Sequence, residues 1–222
     1  MKSLIHHLMA NPMSGEDIER ASFAAIDREA PEHCFDAGQW GVARRMVHTC
    51  ADFSILKDLV FHAGAVEAGI QALRNGAPIF TDANMIRSGL SQARLKAVYP
   101  GYSPASLHCH VADPDIAEEA KRTGLPRSLF AIRKAKAQLE GGIVAIGNAP
   151  VALLELNRMI VEEGLRPALV VGMPVGFVHV VESKDELLGL DVPAIALRGR
   201  RGGSPLVVAT IHALAVLAKE RG

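Results

Sequence analysis

The chain has 222 residues, enough for one α/β domain with a well-filled core. Its 49% hydrophobic content excludes a disordered chain, and 24 Lys+Arg against 24 Asp+Glu leaves no basic field for a nucleic-acid partner. No apolar run approaches the roughly 18–20 residues that span a bilayer. The start, MKSLIHHLMANPMSG, also lacks a signal peptide's apolar core, so a cytoplasmic location is expected. Cys34, Cys50 and Cys109 are widely spaced with no CxxC, which suits a reducing compartment.

In chain order, Gly15 to Ala30 reads as a helix, with Ile18, Ala21, Phe23, Ala25 and Ile26 on one side. Residues 37–48 predict a second helix capped by Asp36, and 64–75 a third closed by Gly76. An α/β rhythm follows. Pro78–Thr81 is the first expected strand and Leu107–Val111 the second. Residues 115–123, capped by Asp113, and 127–140 read as helices. Ile143–Ile146 is the third strand, followed by a helix over Ala149–Glu163 with Pro150 near its start. Leu169–Val171 and Ala194–Leu197 are strands four and five, and residues 204–220 form the last helix. No linker, repeat or low-complexity tract divides the chain, so one domain over 1–222 is expected. Its part at about 15–76 reads as helical and its part at about 77–222 as the sheet.

Three apolar runs share one pattern: Gly142–Pro150, Ala168–Lys184 and Ala194–Pro205 each end in glycine and small polar residues. Such runs read as buried parallel strands, and their turns fall at the strand C-termini, where open α/β sheets bind ligands. The expectation is a three-layer α/β/α fold: a flavodoxin-like, five-stranded parallel sheet of order 2-1-3-4-5, with extra N-terminal helices.

Arg44–Phe53 (RRMVHTCADF) holds His48 close in sequence to Arg45 and Asp52. Imidazole moves protons near pH 7 better than any other side chain. On spacing alone, a helix-end histidine packed under a loop is the commoner outcome. Thr81-Asp82-Ala83-Asn84-Met85 follows a strand and, taken alone, reads as a turn with an N-cap. His108 and His110 would share one strand face, but no third ligand has metal-site spacing, and the bland reading is a strand end near solvent. A nucleotide-dependent enzyme is disfavoured, because no Walker A motif is present and Gly199–Ser204 does not supply GxGxxG.

Taken together, several segments resemble the precorrin-8X methylmutase family of corrin biosynthesis. They are Ser22-Phe23; Arg45-Met46-Val47-His48-Thr49 with Asp52-Phe53; Thr81-Asp82 with Asn84-Met85; Arg127-Ser128; Ile146 to Pro150; Pro174 to Val178 with Glu182-Ser183-Lys184; and Gly199-Arg200 with Gly202-Gly203-Ser204. The resemblance covers nearly the whole chain. It implies an isomerase that moves a methyl group from C11 to C12 of precorrin-8X or cobalt-precorrin-8, giving hydrogenobyrinate or cobyrinate. It implies a corrinoid substrate, no cofactor, no resident metal, and a homodimer with the site near the interface. Hand-over to neighbouring corrin-pathway enzymes fits the same picture. His48 takes the proton-handling role. Ser22, Arg45, Thr81, Asp82, Met85, Arg127, Gly147, Asn148, Gly176, Lys184, Gly203 and Ser204 are the expected substrate contacts. The alternative is a non-catalytic corrinoid-binding carrier. The chain departs from the family pattern at Pro126, Val151, His179 and His212.

Overall fold

A computed structural model describes residues 3–221. The helices are α1 (Leu4–Ala10), α2 (Gly15–Glu29), α3 (Ala37–Cys50), α4 (Ala65–Arg74), α5 (Asn84–Gly89), α6 (Gln92–Lys96), α7 (Pro114–Thr123), α8 (Arg127–Lys134), α9 (Lys136–Leu139), α10 (Pro150–Glu163), α11 (Val180–Leu188) and α12 (Ser204–Glu220). The strands are β1 (Leu59–His62), β2 (Ile79–Thr81), β3 (Leu107–His108), β4 (Ile143–Ile146), β5 (Leu169–Gly172) and β6 (Ala194–Leu197).

The sheet has six strands rather than five, in the order β1-β6-β5-β4-β2-β3. Every pairing is parallel except β1 with β6, where Leu59 sits opposite Leu197 and His62 opposite Ala194. The strand β1 lies inside the stretch expected to be helical. Its sequence, LVFH, is only four residues long and buries Leu59 alone, so it has no clear alternation to read. The central strands β4, β5 and β6 are buried at every position, which is why they read as continuous apolar runs.

Local chemistry sets most helix ends. Ser14 with Asp17 and Asp36 with Gln39 form capping boxes at α2 and α3. Gly124 and Gly164 adopt left-handed backbone at the ends of α7 and α10. Four expectations change. The second strand stops at His108 instead of Val111, and 127–140 splits into α8 and α9. Asp113 stands at the α7 N-cap but makes no side-chain capping bond; its carboxylate pairs with His110 and Lys134 instead. The apolar run to Lys184 is not one strand, because α11 occupies its second half.

Two apolar layers flank the sheet. One joins α3, α4 and α12 to the sheet through Val42, Met46, Ile70, Leu73, Ile211 and Leu214; the other joins α8, α10 and α11 to the opposite face through Ile132, Leu153, Leu156 and Leu187. Gly69 lets α4 approach this way, since a Cβ there would meet Leu169 and Leu214 side chains at 2.9 Å. Leu214→Ala should therefore cost about 2–5 kcal/mol, read as a lower urea midpoint at unchanged slope.

Candidate active site

The C-terminal ends of the parallel strands meet in one continuous floor. Asp82, just past β2, is buried, and its carboxylate accepts backbone N–H bonds from Gly147 (2.9 Å), Asn148 (2.8 Å) and Ala149 (2.6 Å). Burial raises the Asp82 pKa above its ordinary value, against the opposing pull of the three N–H donors. Three donors and no acceptor face its oxygens, so the carboxylate form is the one this turn is built to hold. Gly147 in turn abuts the start of α12: a Cβ on it would meet Ser204 N at 3.0 Å.

The next two turns are stitched together. Gly203 N–H donates to Met173 O at 2.9 Å, and Gly176 N–H donates to Arg200 O at 3.2 Å. Gly176 and Gly203 hold φ values of 144° and 119°, which L side chains rarely adopt. Lys184 closes the arrangement from below. Its buried ammonium donates to Gly199 O (2.9 Å) and Arg201 O (2.7 Å), and burial lowers its pKa to about 8.

His48 reaches this edge by a separate route. It lies in the last turn of α3, and β1 begins opposite the end of β6. Between them, Arg201 donates to Asp52 (2.8 Å), Ser54 and Asp58 (2.7 Å), tying the β6 turn to the segment after α3. The His48 ring is exposed and packs edge-on against Phe23 of α2, with centroids 5.3 Å apart. Arg45, nearly buried, pairs with Glu19 at 2.9 Å, and Arg94 stands 3.6 Å from the same carboxylate. The Arg45 hydrogen bond holds the Glu19 pKa below its ordinary value. Behind them, His212 accepts the Ser91 N–H at 2.9 Å, and burial, with Arg94 and Arg45 nearby, lowers its pKa to about 4.

The expected site residues thus divide. Asn148, Met85 and Arg127 are exposed. The pairs Arg133–Glu155 and Lys136–Glu163 join α8 and α9 to α10 in the same sense along the chain, so Arg127, the first residue of α8, lies towards the end where α10 starts. Ser22 is half-buried beside Phe23, its hydroxyl donating to Ile18 O. Thr81 is buried, its hydroxyl 3.4 Å from His108 O. Two expected contacts also have partners within the chain. The buried Lys184 ammonium donates to two backbone carbonyls, and the Asp82 oxygens accept three N–H groups of the turn after β4. Arg201 was not singled out from the sequence, although its signal, a third arginine beside the matched Gly199-Arg200, is there; His212, noted as a departure from the family pattern, packs behind the site and accepts the Ser91 N–H. Among the described residues no group of three or more His, Cys, Asp or Glu side chains is placed to hold a metal ion. His110 pairs with Asp113 at 2.9 Å, and His108 is a separate ring 6.4 Å away.

The model of the precorrin-8X methylmutase family matches residues 17–217. A cobalt-precorrin-8 methylmutase of Leptospira interrogans is 44% identical, over 94% of this chain and 96% of that protein. A precorrin-8X methylmutase of Pseudomonas aeruginosa is 40% identical, over 90% and 95%. The crystal structure of a precorrin-8X methylmutase from Thermus thermophilus superposes with a TM-score of 0.86 at 45% identity, covering 94% of this chain and 98% of that one.

Two outcomes test the floor. Asp82→Asn puts an amide donor against backbone donors and should cost about 1.5–3 kcal/mol, with faster hydrogen exchange at the amides of Gly147, Asn148 and Ala149. His212 binds no proton in the folded state between its ordinary 6.5 and about 4, whereas the unfolded chain does. Stability should therefore fall on acidification through that window, and His212→Asn should flatten the loss in urea titrations across it.

Proposed function

The chain belongs to the precorrin-8X methylmutase family, and we propose that it is the isomerase that moves a methyl group from C11 to C12 of precorrin-8X or cobalt-precorrin-8. The observation that carries the reading is the joined floor of turns at one sheet edge, with His48 on the adjoining helix end. The reaction is an isomerisation: one C–C bond breaks, one forms, and no electron acceptor is consumed. His48 shares a proton with the macrocycle, polarising its π system as the methyl group migrates, and recovers it when the product forms.

The surroundings suit a large amphipathic ring. Met85, Val175, Phe177 and Val178 are exposed near the strand ends and offer apolar contact to the macrocycle face. Arg127, Asn148 and the N-termini of α10 and α12, at Pro150 and Ser204, suit the rim carboxylates. Ser22, Arg45, Thr81, Gly147, Gly176 and Gly203 shape the walls, while Asp82 and Lys184 hold them in place. The parallel strands in the order β3-β2-β4-β5-β6 support a flavodoxin-like core within a single domain. A second copy would complete the enclosure, since α2 buries none of its residues within one chain. The enzyme then works in the cytoplasm as a homodimer and hands its product to the next corrin-pathway enzyme. Among the described residues no helix is long and apolar enough to cross a membrane.

Turnover of the metal-free and the cobalt-bearing substrate, followed by ultraviolet–visible spectroscopy, tests the reading. At least one should convert, and His48→Ala should lose on the order of 10²–10⁴-fold in rate while still binding a corrinoid. Wild-type protein that binds both forms and converts neither would instead be a carrier.

A further inference from the structure

His48 sits at an exposed helix end, and among the described residues no side-chain hydrogen bond reaches its imidazole. A proton-handling ring in that position needs something else to fix its direction. The neighbouring α2 supplies it. Phe23 meets the His48 ring edge-on at 5.3 Å between centroids, with the planes at 68°. The same Phe23 ring lies under two guanidinium groups, Arg44 Cζ at 4.6 Å and Arg45 Cζ at 5.0 Å from its centroid.

Those contacts are themselves anchored. Arg45 is held by Glu19 from α2 at 2.9 Å, and Arg44 by Asp27 from α2 at 2.7 Å. Phe23 therefore stands between two α2–α3 ion pairs, one on either side along the helix. We propose that Phe23 is the positioning residue for His48: its ring, gripped by Arg44 and Arg45, sets the direction of the imidazole. The inference rests on the reading of His48 as the proton-handling group.

The physical basis is geometric. Edge-to-face aromatic contacts prefer centroid separations of about 4.5–7 Å and hold relative ring orientation. Two guanidinium groups over the phenyl ring favour the ring orientation that faces them and so resist its rotation about χ2. A leucine at residue 23 would keep the apolar contact but lose both the ring edge and the cation–π faces. Tyrosine would keep the ring.

The test combines three readouts on Phe23→Leu and Phe23→Tyr. Leucine should lower kcat on the order of ten- to hundredfold with KM changed less than about twofold, since misorientation of a reacting group costs rate rather than affinity. Tyrosine should restore kcat to within about threefold. The His48 ring-proton resonances should shift in the leucine variant, because the aromatic neighbour is gone, and remain near their wild-type positions in the tyrosine variant. An unchanged kcat in the leucine variant overturns the proposal. A rise in KM that accounts for the whole loss overturns it too, and would make Phe23 a substrate platform. If wild-type protein converts neither form of the substrate, the functional reading fails on its own. The resonances then still decide the ring contact, and unshifted His48 signals in Phe23→Leu overturn it.

Discussion

The turn at the centre of the strand ends depends on one carboxylate. Asp82 emerges from β2 and accepts the N–H groups of three consecutive residues that follow β4. Turns that expose successive N–H groups would otherwise need water or a ligand anion to satisfy them. Here the protein supplies its own anion, buried, and so the turn after β4 is fixed before any substrate arrives. Because Gly147 touches the start of α12, fixing that turn also fixes where the last helix begins. That helix packs against α3, which bears His48, and against α4.

The turn after β6 presents the opposite polarity and receives the opposite solution. Its carbonyls at Gly199 and Arg201 point inward, and the Lys184 ammonium binds both. A buried anion thus organises donors on one turn and a buried cation organises acceptors on another. Removing either charge leaves unpaired backbone groups in a dry place, which is costly. Gly202 shows how little room remains: a Cβ there would lie 2.1 Å from Met173 O. Such preorganisation suits an isomerase of a bulky substrate, because the floor need not reorganise as charge shifts during reaction.

The wall that carries His48 is built differently. Helix α2 contributes no fully buried residue and holds to its neighbours through ion pairs, the Trp40–Asp27 hydrogen bond, the Phe23 contacts and Ile26 packed against the core. Pairs of this kind are individually weak when exposed. Arg45 is the exception, nearly buried against Phe23, and it links α2 to the inner layer where Arg94 and His212 lie. The floor is thus held by buried charges, and the wall beside it mainly by ion pairs and aromatic contacts.

By itself the sequence determined much of this. The short apolar runs at Ile143–Ile146 and Ala194–Leu197, each closed by glycine-bearing turns, read as strands buried on both faces. The capping residue Asp36 and the glycines after strands and helices marked where elements begin and end. The matched segments around His48, Asp82, Asn148 and Ser204 identified the family and gathered the candidate residues. Tertiary structure decided what each one does. The strand β1 was illegible because four residues with one buried side chain carry no period. The backbone partners of Asp82 and Lys184 were not legible either, because local sequence gives a residue's chemistry but not what it meets. Only the packing of β2 beside β4, and of α11 beneath the β6 turn, brings backbone N–H and C=O groups within reach and turns both charges inward.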